Sequence, residues 1–415
     1  MPESLNDRSI QSMRVLFVTR ENRADLRYGL GKSLELIIEQ LAHSQIPSRY
    51  LCQIHTSNRN RQLLDGINRS IIALCKLIPN QGISVCLKNL VMGLTERLNM
   101  GRLAAKVAKS DGFTHIHAQD PIIAAGALFF KFGAKISIGV TQHGFGSYSY
   151  AIHEDGVPMP TRVMRMMRNW ERRTLRRCSW VMTPSQSGLE QLARDLCEHP
   201  IPSHWAVVKH PAPRMKIVSK AHARSELGLA DDIFYILAVG RLVPLKDFET
   251  LIRATSQIET RRNWAIIILG DGDGTHLEDL AVQCGLKESQ LKILATDHMS
   301  LWYSAVDMYV SSSLTESFGM ANHEAVCAGV PSILTAVGAV AEIDGGGSLL
   351  VPKQQTDVMT LAIQRLINDP VLCAELSATG LAWHSKWPSL VEIADQYCDC
   401  YLKSSDRSGM IKPQS

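Results

Sequence analysis

A chain of 415 residues is too long for one ordinary core and implies two domains of roughly 200 residues each. It is 45% apolar and 20% charged with a formal net charge of only +4, so it reads as globular and its overall field gives no case for a nucleic-acid partner. No stretch reaches the roughly 18 uninterrupted apolar residues of a membrane span, and ten scattered cysteines without zinc or CxxC spacing read as reduced thiols in a cytoplasmic protein.

The first predicted strand is 13–18, followed after a polar loop by a helix from about Gly31, with Leu34, Ile37, Ile38 and Leu41 at spacings of three and four. Further strands are predicted at 50–55, 114–117, 135–141, 180–183 and 206–208, with helices over 63–77, 94–108, 122–130 and after Ser185. Strands separated by helices imply a parallel sheet covered on both faces. Two prolines in Lys209-His210-Pro211-Ala212-Pro213 suggest a crossover. A second rhythm then begins, with strands at 234–239, 264–269, 291–294, 306–310 and 331–334. The predicted division is a domain over 1–210, a second over 211–387, a helix over 388–403 and a loose tail over 404–415. Two such α/β domains, each a doubly wound parallel sheet, create a cleft at the carboxyl ends of their strands.

The candidate chemistry concentrates in the second half. Arg241 and Lys246 follow the strand ending at Val239; a guanidinium fork and a lysine point charge suit a diphosphate, although a solvated basic pair would look the same. Gly270-Asp271-Gly272-Asp273-Gly274 permits close backbone approach. Its two aspartates resemble a DxD metal pair but are equally ordinary turn residues, and no metal is expected. Glu316 lies in a strand-to-helix loop and Glu324 within the helix that follows. Carboxylates accept from two hydroxyls at once, which favours sugar or ribose, and backbone N–H groups near Gly319 and Met320 suit phosphate oxygens. The plain alternative is a helix cap and a solvent-facing glutamate.

These residues sit in GRLVPLKDFETLIRA, ILGDGDG, TESFGMANHEAVCAGVP and TAVGAVAEID. Together the stretches resemble the donor-binding domain of retaining GT-B glycosyltransferases, specifically glycosyltransferase family 4, whose two glutamates share the spacing of Glu316 and Glu324. The resemblance implies a GT-B fold, two doubly wound domains facing across a cleft with a C-terminal helix crossing back. It implies metal-independent transfer of a sugar, with retention, from a UDP- or GDP-linked donor to a saccharide or lipid-linked saccharide acceptor, with no cofactor beyond that donor. Arg241 and Lys246 would hold the diphosphate, Glu316 the transferred sugar and Glu324 the ribose, with Glu342 a further carboxylate near the donor loops. The family often has two glycines where this chain has Gly338-Ala339, which leaves the backbone there open. Polysaccharide, lipopolysaccharide or glycolipid synthesis is the expected setting. A sugar-nucleotide epimerase, a phosphorylase and a non-catalytic carbohydrate- or membrane-binding protein are the alternatives.

In the first half, Gly29-Leu30-Gly31-Lys32-Ser33 lacks the leading glycine of a P-loop and the third glycine of a dinucleotide fingerprint. The resemblance makes Gly29 and Gly31 a glycine loop near the donor phosphates, and His143 of VTQHGFG the histidine near the reacting centre. His117 and Asp120 resemble an acceptor-side pair, though Asp120 could simply cap a helix. The segment 162–177 holds seven arginines and one glutamate. It suits either an anionic membrane surface, giving a peripheral place on the cytoplasmic face, or the charged outer side of an ordinary domain helix.

Overall fold

The computed structural model describes residues 12–20, 29–77, 81–154 and 160–407. The chain forms two compact units, Met1–Pro211 with Ser389–Ser415, and Ala212–Pro388.

The first unit runs β1 (Val15–Val18), α1 (Gly29–His43), β2 (Ser48–Leu51), α2 (Asn58–Cys75), α3 (Gln81–Asp111), β3 (His115–Ala118), α4 (Pro121–Phe130), β4 (Ser137–Thr141), α5 (Tyr148–Glu154), α6 (Thr161–Arg177), β5 (Val181–Thr183), α7 (Gln186–Leu196) and β6 (Trp205–Val207). Its strands pair in the order β2-β1-β3-β4-β5-β6, all parallel. Parallel neighbours need crossovers, and the intervening helices supply them. Strands β1, β3, β4 and β5 are buried along their whole length, and β1 reads as a continuous apolar run, VLFV.

The second unit runs α8 (Lys220–Leu227), β7 (Phe234–Val239), α9 (Phe248–Ser256), β8 (Trp264–Leu269), α10 (Thr275–Gln283), β9 (Leu291–Leu294), α11 (Met299–Ala305), β10 (Met308–Ser311), α12 (Met320–Cys327), β11 (Ser332–Thr335), α13 (Val340–Ile343), β12 (Ser348–Val351), α14 (Thr356–Asn368) and α15 (Pro370–His384). The strand order β12-β11-β10-β7-β8-β9 is the doubly wound 3-2-1-4-5-6 arrangement read from the other edge. The chain reverses its direction of winding between β7 and β10, and that junction is where ligands bind in such sheets.

A last helix, α16 (Leu390–Arg407), packs in the first unit. Ile393, Ala394, Tyr397 and Tyr401 recur at helical spacing and bury against Val15, Phe17, Leu34, Ile37 and Trp180. One expectation changes here. The helix runs to Arg407 rather than 403, because Ser404 is buried and its hydroxyl donates to Tyr401 O. Trp387, just before the helix, packs with Phe318 and Ile343 of the second unit. Residues 408–415 of the expected tail lie outside the described residues.

Among the described residues of the first unit, His115, His117 and His210 are buried. Burial lowers their pKa values to about 4, about 3 and about 4 respectively. An unfolded histidine takes up a proton near pH 6.5. Between that pH and about 4 the unfolded chain therefore binds more protons than the folded one, and the stability these neutral rings confer is lost as pH falls through the window. Calorimetry should show the first unit's melting temperature dropping between pH 7 and 5. A flat profile there would contradict the neutral burial of these rings.

Candidate nucleotide-sugar site

Four neighbouring strands of the second unit, β11, β10, β7 and β8, deliver the predicted residues to one end of the sheet, on either side of the winding reversal. After β7 the chain passes through Gly240 and Arg241 into a short 3-10 turn over Pro244–Lys246, and Asp247 in the left-handed region (φ 46°) redirects it into α9. The Lys246 stem lies across Gly240, and its ammonium returns to the loop after β10. There Lys246 Nζ donates to Glu316 Oε1 at 2.5 Å, and Ser313 Oγ donates to the same oxygen at 2.8 Å. Ser312 Oγ donates to Lys246 O at 2.9 Å, and Leu314 N donates to Leu245 O at 2.9 Å, so the two loops are stitched along their backbones. Arg241 is exposed, and among the described residues its guanidinium makes no hydrogen bond or ion pair.

Gly270 sits at the end of β8, where a Cβ would stand 1.8 Å from Gly240 O. Only glycine lets the β7 and β8 loops approach so closely. The aspartates that follow serve the turn: Asp273 Oδ1 accepts from Thr275 N and Oγ1 at the start of α10, which holds its carboxyl below the usual range, and Asp271 O accepts from Leu242 N.

Beyond Glu316 the chain reaches Gly319, left-handed at φ 79°, and enters α12 at Met320. The first-turn N–H groups of a helix lack intrahelical acceptors and present partial positive charge. Glu324 is not solvent-facing: it is buried, and Tyr303 Oη donates to its Oε2 at 3.2 Å. The loop after β11 closes on Glu316 from the other side, with Ala339 N donating to Glu316 O at 3.0 Å. Gly338 is left-handed (φ 56°) while Ala339 has an ordinary φ of −88° and is buried. The second position of the expected glycine pair therefore has no conformational need of glycine. Glu342, half-buried, follows in the first turn of α13. Lys246 and Glu316 thus form a direct pair, with Gly270, Gly319, Met320, Glu324 and Glu342 on the adjoining strand-end loops and helix starts. Ser312, Ser313 and Tyr303 were not anticipated. The serine run directly after β10 was the available sign for the first two.

The first unit resolves its own candidates differently. Gly29 and Gly31 lie in the first turn of α1 rather than in a loop before it; residues 21–28 lie outside the described residues. His143 follows β4. Its Nε2 is 2.7 Å from Gln119 Oε1, and its ring stacks on His210 at 5.5 Å and 10°. His210 Nδ1 is in turn 3.0 Å from Ser33 Oγ of α1. Burial, followed by the nearby His210 and His117, holds the His143 pKa well below its ordinary value, so the ring is neutral at physiological pH. His117 is a core residue and not part of a ligand-facing pair: it is wholly buried between Tyr401 Oη and Thr141 Oγ1, each 2.7 Å away. Asp120 caps α4 through Ile122 N and pairs with Arg97.

The arginine-rich segment is α6, and its arginines mostly face outward, with Arg172 and Arg176 both paired to Glu198. Its single glutamate, Glu171, is buried and binds the loop carrying His143. Both carboxyl oxygens accept from Tyr148 N at 2.9 Å, and Oε1 also accepts from Gln142 Nε2 at 3.1 Å. Burial pushes this carboxyl up to about 8, against the pull of the Tyr148 N–H. An acid raised this far holds its proton in the folded state after the unfolded chain has released it near 4.5, so its contribution weakens as pH rises from about 4.5 to 8. Glu171→Gln is therefore expected to gain stability relative to the parent as pH rises from 5 to 8. Parallel denaturant titrations with a constant difference would refute this.

Among the described residues, no helix is long and apolar enough to cross a membrane.

Residues 219–383 match the model of the family described as Glycosyl transferases group 1. Among curated proteins, the lipopolysaccharide core biosynthesis mannosyltransferase LpsB of Rhizobium meliloti is 29% identical over 178 residues, covering 40% of this chain and 51% of LpsB. The matched stretch spans about half or less of the first curated relatives, 40% to 51% of their lengths. Among solved structures, the sucrose-phosphate synthase of Thermosynechococcus elongatus superposes with a TM-score of 0.71 at 18% identity, covering 95% of this chain and 100% of that one. HepE of Anabaena, solved with UDP-glucose, superposes with a TM-score of 0.65 at 18% identity, covering 94% and 99%. Residues 219–383 are thus similar to the glycosyl transferases group 1 family, and the fold of the chain is GT-B.

Proposed function

We propose that this protein is a retaining glycosyltransferase that moves a sugar from a UDP- or GDP-linked donor to an acceptor hydroxyl in polysaccharide, lipopolysaccharide or glycolipid synthesis. The observation that carries this reading is the Lys246–Glu316 pair at the winding reversal of the second sheet, beside Arg241 and the start of α12. HepE's complex with UDP-glucose and the role named for LpsB support the donor and acceptor classes.

In this reading Arg241, Lys246 and the first N–H groups of α12 hold the diphosphate. As the anomeric C–O bond breaks, negative charge grows on the leaving phosphate oxygen, and these cationic and N–H donors would stabilise it. The acceptor oxygen forms the new bond on the same face, and its proton passes to the departing diphosphate. Glu316 holds hydroxyls of the transferred sugar and Glu324 those of the ribose, so neither acts as a nucleophile. His143, neutral and oriented by Gln119 and His210, offers a ring nitrogen to a sugar hydroxyl. No metal is required, since the cationic side chains supply the charge. The outward arginines of α6 give an anionic membrane surface a place to bind from the cytoplasmic side.

The test is a panel of UDP- and GDP-sugars, read by saturation-transfer resonance and mass spectrometry, with and without membrane lipid extract. Binding of one sugar nucleotide and an acceptor-dependent mass gain are expected. Failure to bind any sugar nucleotide would refute the proposal.

A further inference from the structure

Helix α12 carries a second set of donors on a different face from Glu324. His323 and Cys327 are four residues apart, so their side chains lie one above the other. His384, the last residue of α15, meets them there. One ligand atom from each of the three residues lies within 4.8 Å of the other two, and Cys327 Sγ is 3.2 Å from His384 Nδ1. A tetrahedral zinc ion, with Zn–S of about 2.3 Å and Zn–N of about 2.0–2.1 Å, sets neighbouring ligand atoms about 3.3–3.6 Å apart. The Cys327–His384 edge already has nearly that length, and the other two edges, within 4.8 Å, need to close by at most about 1.5 Å.

The surroundings suit a bound ion. His323 is fully buried, whereas Cys327 and His384 are half-buried and reachable from solvent. Trp387, Trp383 and Phe318 wall the site, with the Trp387 ring 4.5 Å from that of His323. An apolar wall around a nitrogen and sulfur donor set controls water access to a bound ion. One thiolate with two imidazoles selects zinc over magnesium or calcium, which prefer oxygen ligands.

We propose that His323, Cys327 and His384 bind one zinc ion, with water as the fourth ligand. Binding releases the Cys327 thiol proton to solvent and replaces the Cys327–His384 hydrogen bond with two metal bonds. The ion would join α12, the helix of Glu324, to the end of α15. None of its three ligands is among the residues assigned to the donor, and the ion takes no part in the transfer step, so this inference stands or falls separately from the donor reading.

The full chain, stripped with chelator and titrated with cobalt(II) and then zinc, tests this. One equivalent of cobalt should bind with a thiolate charge-transfer band and tetrahedral visible bands, and zinc should displace it. Cys327→Ser should abolish the charge-transfer band. His384→Gln should weaken binding by more than the about 10–100-fold lost when a mere orienting partner is removed. Both positions are partly exposed, and circular dichroism in chelator should match the parent. Absence of a cobalt–thiolate band in the parent protein overturns the proposal without reference to any variant. Persistence of the band in Cys327→Ser overturns the ligand assignment.

Discussion

Lys246→Ala is expected to lower kcat/KM for sugar transfer by about 10²–10³-fold, the loss seen when one preorganised charge or donor is removed from a leaving group. In the free site Lys246 and Glu316 satisfy each other, with side chains 21% and 11% exposed. A diphosphate entering from the α12 side would compete for the ammonium, because it brings two negative charges against the single charge of the carboxylate. Removing Lys246 leaves Glu316 with Ser313, so the stability cost should stay at about 1–2 kcal/mol, too little to unfold the unit. Glu316→Gln separates the two roles. If Lys246 holds the diphosphate, Lys246→Ala weakens the free nucleoside diphosphate and the sugar nucleotide alike. If Glu316 holds the sugar, Glu316→Gln weakens only the sugar nucleotide. Calorimetric titration with both ligands distinguishes the cases, and undiminished transfer by Lys246→Ala would remove Lys246 from the diphosphate role.

What the sequence revealed followed from local rules. Alternating apolar strands and helices specify parallel sheets, and glycines, arginine, lysine and glutamates at strand ends mark a ligand-binding end. The direct Lys246–Glu316 bond was not legible, because it joins residues 70 apart through the order in which β7 and β10 pair. His117 misled for the opposite reason. It ends a predicted strand and so looked available, but Tyr401, 284 residues later, covers it. Glu171 lies in a run of arginines that reads as a solvated face, and only the fold shows that the odd charge is the buried one. Strand β12 escaped notice because it is a four-residue edge strand with an exposed Leu350, too short for a clear period.

Gly338→Ala should be as damaging as loss of the lysine, through geometry rather than charge. At φ 56° an alanine pays roughly 1 kcal/mol in backbone conformation. Its Cβ would also fall 1.8 Å from Glu316 O and 2.8 Å from Glu316 C. Those are backbone atoms, so no side-chain rotation relieves the clash. The loop after β11 must withdraw, breaking the Ala339 N to Glu316 O bond. A cost of about 2–4 kcal/mol is expected, in the range of overpacking combined with backbone strain. Because Glu316 shifts with the loop, donor turnover should fall by about 10²-fold, as misplacements near an ångström do. Ala339→Gly is the control. Its backbone is ordinary and its methyl buried, so glycine there should cost about 1 kcal/mol and leave turnover near the parent's. Thermal unfolding and donor kinetics on both variants settle the matter. A Gly338→Ala protein with parental stability and KM would mean that the β11 loop does not rest on Glu316 in solution.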